Sequence, residues 1–413
     1  MDILLIHGLN SRSTSITSVL EHELLIPNTD QHNSYYVMNA NDVIPKLVKS
    51  HKFDGIIFTS TFMDLISDPS ISRRIIQKFD FLSSASGYKI ALPQDDYWMS
   101  EIRDAWYTSM QINCVYPVCA PEHWNTLLPT YSKSGEIVQG YTAYIGPRLL
   151  RMREESSPAS VKSYDIVYRS TKYPLYPNTL GFIKGSLGDR FEEAAFNHGF
   201  QFSLNVSGNF IKGDKWKDFL TDSRAVLGSP SGSSTLVRGE SDFRAIRAIK
   251  EPTSVRTYEN LDSLLPSECL GVDYTAISPR NLEAAALGCL QILAPGSYGN
   301  ILKPGRDYIP LDFTFENLKQ IESCLKDEKK LSEITSNCWS SLRNHTGLQV
   351  ENFIDGVLTR IAANSKLKPK ANKSNLESML SLTILEKVHQ SALGLTRKAH
   401  SISASIKNVM SPR

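Results

Sequence analysis

Arg280 and Glu283 stand three residues apart in the run Ser278-Pro279-Arg280-Asn281-Leu282-Glu283-Ala284-Ala285-Ala286-Leu287-Gly288. Ser278 suits a helix N-cap and Pro279 the first helical position, so Arg280 and Glu283 share one side of a first turn. Leu282, Ala285 and Ala286 supply the apolar face, and Gly288 ends the helix. Leu290-Gln291-Ile292-Leu293-Ala294 then reads as a buried strand, stopped by Pro295-Gly296. A cation and a carboxylate at a helix N-terminus inside an α/β unit can meet a phosphate and a ribose hydroxyl together. The same spacing also serves a purely structural ion pair.

A second group of candidates lies in the first third of the chain. Asp95 and Asp96 follow the apolar run Lys89–Leu92. Adjacent side chains on an extended segment point apart, so one faces a cleft while the other caps the next helix. We assign Asp95 to the cleft and Asp96 to structure. His7, at the end of the first apolar run, is another cleft candidate, though a lone His there is more often a hydrogen-bonded core residue. Ser231-Gly232-Ser233-Ser234 follows the strand-like Ala225–Gly228. Such a loop brings N–H groups and hydroxyls to a phosphate or sugar, or is simply solvated.

These residues need strands to carry them. Ile3–Ile6, Tyr35–Met38, Gly55–Thr59, Lys89–Leu92, Cys114–Pro117 and Ile137–Gly140 read as strands, with helices such as Ser13–Glu23, Val43–His51 and Ile71–Leu82 between them. That alternation predicts a parallel sheet covered on both faces. No GxGxxG follows the first strand, which disfavours a dinucleotide site there. Arg153–Ser160 has linker chemistry. Tyr164–Tyr168 reads as a strand running into Arg169, and Phe191–Gly199 as a helix. Asn317–Lys326, Lys330–Leu342 and Gln349–Ala363 have amphipathic helical spacing.

The Leu282–Gly288 run and the strand after it resemble the donor-side motif of GT-B glycosyltransferases. The resemblance implies two Rossmann-like α/β domains facing across a cleft, with residues 1–155 as the acceptor domain. Residues 163–345 would be the donor domain, and 346–413 a crossover helix with a C-terminal helical extension. It assigns Glu283 to the donor ribose. Arg169, at a strand end, and Lys184 match the Arg and Lys that hold the donor diphosphate, where paired cations stabilise charge growing on the leaving group. Arg280 and Ser231, Gly232, Ser233 and Ser234 complete the donor set. Asp95 or His7 would sit near the reacting hydroxyl. Gln94-Asp95-Asp96-Tyr97, Gly213-x-x-Trp216-x-x-Phe219-Leu220, the Leu227–Ser234 run and Ser297–Leu311 are together similar to the CgeB-like glycosyltransferases of bacterial surface-polysaccharide clusters. Thr275 stands where the GT-B pattern commonly has a second Glu, and Pro230 and Asp307 stand where the CgeB-like group often has Glu and His.

The expected activity is therefore transfer of a sugar from a nucleotide-sugar substrate to a cell-surface glycan or glycolipid, with retention, no cofactor and no metal. A GT-B-like epimerase or phosphorylase is one alternative. A non-catalytic glycan-binding or assembly protein that kept the fold is another, favoured by Thr275 and Pro230.

Composition agrees with such a protein. At 413 residues the chain accommodates two or three domains, and a net charge of +2 excludes bulk polyanion binding. Six cysteines without metal-ligand spacing read as free thiols of a reducing cytoplasm. The N-terminus lacks a signal-peptide pattern, and no apolar run approaches the ~20 residues of a membrane span. Charge is uneven, however. Ser365–Arg413 holds nine Lys and Arg against two Asp and Glu, a net +7. Its loose apolar stripe suits an anionic membrane surface, peripheral at the inner face, or a protein partner. No aromatics interleave the basic residues, so nucleic acid is not an expected partner.

Overall fold

The computed structural model describes residues 1–10, 17–156, 161–170, 179–209, 211, 213–248 and 273–365. The basic tail from 366 onward and residues 171–178 lie outside these.

The first half forms β1 (Asp2–His7), β2 (Ser34–Asn39), β3 (Gly55–Phe58), β4 (Tyr88–Ala91), β5 (Cys114–Val115) and β6 (Glu136–Ile137). They make one parallel sheet in the order β2-β1-β3-β4-β5-β6. The apolar runs are continuous because both faces are buried. Leu4, Ile6, Ile56 and Phe58 pack under helices Ser60–Ser67, Ser72–Phe79 and Ser100–Ser109. Ile3, Leu5, Ile57 and Ile90 face the other way, onto helix Thr17–Thr29 and helix Val350–Asn364. The latter returns from the far end of the chain. Gly55 admits it: a Cβ there would lie 2.6 Å from Ile361 Cδ1.

The second half forms β7 (Tyr164–Val167), β8 (Leu204–Asn205), β9 (Ser223–Gly228), β10 (Ser231–Ser233), β11 (Tyr274–Ala276), β12 (Leu290–Leu293) and β13 (Ile309–Pro310). Five of these build a second parallel sheet, β13-β12-β9-β7-β8. The other two, β10 and β11, pair as an antiparallel ribbon.

Three local readings change. Residues 179–197 are one helix, Thr179–Asn197, where only its second half had helical spacing. Gly181, Gly185 and Gly188 each cost about 1 kcal/mol in a helix, but Leu180, Leu187 and Phe191 are buried and packing prevails. The Ser231–Ser233 stretch is a strand, with Gly232 at φ +96 and no room for a Cβ, which would lie 2.1 Å from the Tyr274 carbonyl oxygen. Arg153–Glu155 finishes helix Pro147–Glu155, whose Leu149 and Met152 pack with Leu282 and Ala286 of the second half.

The halves meet directly. The Thr142 hydroxyl donates to the Ile277 carbonyl at 2.6 Å. Val237 N donates to Tyr97 O at 2.8 Å, and Glu101 N to Arg238 O at 2.9 Å. Among the described residues no helix is long and apolar enough to cross a membrane. The five described cysteines are buried and free.

Candidate functional site

Helix Pro279–Ala286 begins as its sequence dictates. The Ser278 hydroxyl accepts from Arg280 N at 3.3 Å, and Asn281 Oδ1 accepts from Ser278 N at 2.9 Å. Buried Asn281 and Gln291 exchange two hydrogen bonds, which pin the helix to β12. The start of the helix is thereby fixed, and with it the two residues singled out by spacing.

The Arg280 guanidinium lies 5.3 Å from the ring of Tyr168 and 5.2 Å from that of Trp216. Its Nη2 donates to the Arg169 carbonyl at 2.5 Å. Glu283 is 5% exposed. Its Oε1 accepts from Arg148 Nη2 at 3.0 Å and its Oε2 from Trp216 Nε1 at 2.8 Å. Arg280, Glu283, Arg148, Trp216 and Ser278 line a cavity of about 390 Å³.

Lys184, on helix 179–197, lies near Arg280. Burial, and then the Arg280 charge, push its ammonium down to about 8, while Asp95 pulls the other way. Arg169 is 8% exposed and spends Nη1 on the carbonyls of Tyr168 and Asn205 and Nη2 on Asn205 Oδ1. Burial lowers its pKa. Its guanidinium thus stands behind the site, and its carbonyl anchors Arg280. Ser231 and Gly232 meet Asp95, Gln94 and Tyr97 of the first half around a cavity of about 60 Å³. Ser233 and Ser234 turn inward: their hydroxyls accept from Thr235 N at 3.0 Å and Leu180 N at 3.3 Å.

Across that small cavity, Asp95 is exposed and accepts from the Tyr97 hydroxyl at 2.9 Å. Asp96 is buried, accepting from Val118 N at 2.8 Å and Cys119 N at 3.4 Å. Fully buried Arg103 lies 4.0 Å from Asp96 and 3.7 Å from Asp64 on helix 60–67. The protein around Asp64 and then the Asp95 charge push the Asp64 carboxyl up to about 7 against Arg103, although 53% of its side chain is open to solvent.

The structure corrects the cleft position expected of His7. It is 0% exposed, and its Nδ1 accepts from Leu9 N at 3.2 Å, so it anchors the loop after β1. Among the described residues no group of three His, Cys, Asp or Glu is placed to hold a metal ion.

No protein-family model and no curated protein matches the chain. Solved structures do. An alpha-glucosyltransferase in complex with UDP and a 13-mer DNA containing a HMU base matches with TM-score 0.53 and 10% identity, over 88% of this chain and 99% of that one. An alpha-glucosyltransferase with UDP-glucose and DNA containing an abasic site gives TM-score 0.51 and 10% identity, over 87% and 98%. A sucrose-phosphate synthase from Thermosynechococcus elongatus gives 0.46 and 11%, over 88% and 99%.

The fold is GT-B. In GT-B terms, the carboxyl ends of two parallel sheets face one cleft, where open α/β sheets bind ligands. Asp64 and Asp95 follow β3 and β4 on one side, while Arg169 follows β7 and helix 279–286 presents its first turn on the other. Sequence reasoning missed Arg148 and Asp64, and gave Trp216 no role. Only Trp216 had a signal, in its Gly-x-x-Trp motif. The carboxylate partners of Arg148 lie 127 and 135 residues away, beyond any local pattern.

Proposed function

We propose that the protein transfers a sugar from a nucleotide-diphosphate donor to a hydroxyl of a cell-surface glycan or glycolipid. One observation carries this reading: Arg280, in the capped first turn of helix 279–286, and Glu283, three residues on, line one cavity of about 390 Å³, and the Arg280 charge reaches Lys184. In this reading the cavity takes the nucleoside and Glu283 accepts from its ribose hydroxyls. Lys184 and Arg280 meet the diphosphate, and Arg169 adds its field from behind. Cations so placed stabilise the leaving diphosphate most when its bond to the sugar is breaking. They supply the countercharge that a metal ion would otherwise bring. Asp95 accepts a hydrogen bond from the acceptor hydroxyl, Ser231 and Gly232 border the sugar, and the configuration of the sugar is retained.

Charge favours a glycan as acceptor. Asp95 is exposed on the acceptor wall, and a carboxylate there repels a phosphate backbone. The DNA in the alpha-glucosyltransferase complexes therefore does not carry over to this reading. The motif resemblance to the CgeB-like group supports a surface polysaccharide, made at the cytoplasmic face of a membrane. The +7 tail is suited to such a face.

Release of nucleoside diphosphate from UDP-, GDP-, ADP- and CDP-sugars, with lipid-linked glycan, free oligosaccharide or duplex DNA added, tests the proposal. Stimulation by a glycan acceptor is the expected result. Stimulation by DNA alone would move the acceptor class. Binding without turnover under every condition would leave a glycan-binding protein on a GT-B scaffold.

A further inference from the structure

Glu283 does not stand free beside its cavity. Arg148 holds one carboxylate oxygen at 3.0 Å and Trp216 holds the other at 2.8 Å. An ionised carboxylate has about four lone-pair sites, two on each oxygen. One site therefore remains on each oxygen, and the cavity that Glu283 lines is the open direction. Two acceptor sites a carboxylate's width apart match a pair of vicinal hydroxyls. A carboxylate held at both oxygens has also lost its rotamer freedom before any ligand arrives, which lowers the entropic cost of binding.

Arg148 does a second thing. Its Nε donates to Glu21 Oε2 at 2.7 Å, and Glu21 belongs to helix 17–29, packed on the first sheet. Burial pulls the Arg148 guanidinium pKa down, but Glu283 and then Glu21 more than offset that and hold it above its ordinary value. One guanidinium thus joins the carboxylate of the second domain to a helix of the first. Trp216 does not reach across. Its ring lies against Arg280, so its N–H is held on the Glu283 side by packing within the second domain.

We infer that Arg148 and Trp216 are positioning residues that aim Glu283 at the vicinal hydroxyls of a ribose, and that Arg148, through Glu21, makes this recognition a joint property of both domains. The inference rests on the donor reading above. Its content is that selectivity for ribose depends on two residues outside the Arg280–Glu283 turn, one of them contributed by the connection between the sheets.

The test is calorimetric titration of the full chain with UDP, GDP, ADP and CDP and with their 2′,3′-dideoxy counterparts. For the nucleotide that binds, the native chain is expected to prefer the ribose form by about tenfold or more, the worth of a hydrogen bond to a charged group. Arg148→Met and Trp216→Phe should each cut that preference to about threefold or less, the ribose form losing more affinity than the dideoxy form. Glu21→Gln should give an intermediate loss. Trp216→Phe keeps most of the ring volume, so it carries the test alone if Arg148→Met does not fold. Equal weakening of both forms would mark a merely structural role and overturn the inference, as would an unchanged preference. If no nucleoside diphosphate binds the native chain, the donor reading itself fails and the inference falls with it.

Discussion

Arg280 reaches back 111 residues to donate to the main-chain carbonyl of Arg169 at 2.5 Å, joining the first turn of helix 279–286 to the end of β7. This bond, with the flanking Tyr168 and Trp216 rings, fixes a cation where the helix dipole already favours an anion.

Replacing Arg280 by Met should therefore weaken nucleoside diphosphate binding about 10–100-fold, since hydrogen bonds to charged groups contribute about 1.5–3 kcal/mol. Arg280→Lys should recover only part of that, because an ammonium cannot reproduce the planar fork. Calorimetry on the three proteins checks both statements. Equal affinity in all three would remove Arg280 from the site.

Lys184 gives the site a pH dependence. Its pKa near 8 means that the charged form, which an anion needs, is lost as pH rises through about 8. Affinity for a nucleoside diphosphate should fall over that range, while the ligand's own secondary ionisation, near pH 6, is already complete. Binding favours the charged lysine, so the complex should take up protons near pH 8. Titrations in buffers of different ionisation enthalpy measure that uptake. Lys184→Met should abolish it.

How far all this could be read beforehand depended on range. The apolar runs of the first sheet identified its strands to within a few residues, as with Ile3–Ile6 inside β1, because residues buried on both faces leave an unbroken local pattern. The Ser278–Pro279 start was equally legible, since a cap is local chemistry. Asp64 was hidden because helix 60–67 follows β3 directly and its Phe62, Met63 and Ile66 prolong the strand's apolar run without a clear period. His7 stayed open between cleft and core because its type alone does not show that its Nδ1 accepts from Leu9 N. Arg148 was one of three arginines on helix 147–155, and nothing near it in the chain distinguishes it from Arg151 or Arg153.

Asp64 predicts a stability effect of definite sign. Its carboxyl is pushed up from the ordinary 3.8 to about 7 in the folded chain, so the folded state holds the proton more tightly than the unfolded state between those values. Stability contributed by this group must then fall as pH rises from about 4 to 7 and level off above. Asp64→Asn removes that loss. The Tm advantage of the variant over the native chain should grow across the same window and stay constant beyond it. A difference independent of pH would contradict the raised value.

The returning helix 350–364 offers a packing test that leaves the donor site alone. Gly55→Ala places a methyl 2.6 Å from Ile361 Cδ1 and should cost about 1–3 kcal/mol, the usual range for overpacking. Ile361→Val removes that Cδ1, so the double variant should recover part of the loss in denaturant unfolding. Additive losses would mean that the contact is not the cause.

The donor site is the central claim, and one titration addresses it most directly: the native chain and Glu283→Ala against a panel of nucleotide sugars, followed by calorimetry. The expected result is saturable binding of at least one nucleotide sugar by the native chain, competed by its free nucleoside diphosphate, with affinity about tenfold or more lower in the folded variant. Native binding that the variant matches, or no binding across the panel, would contradict it.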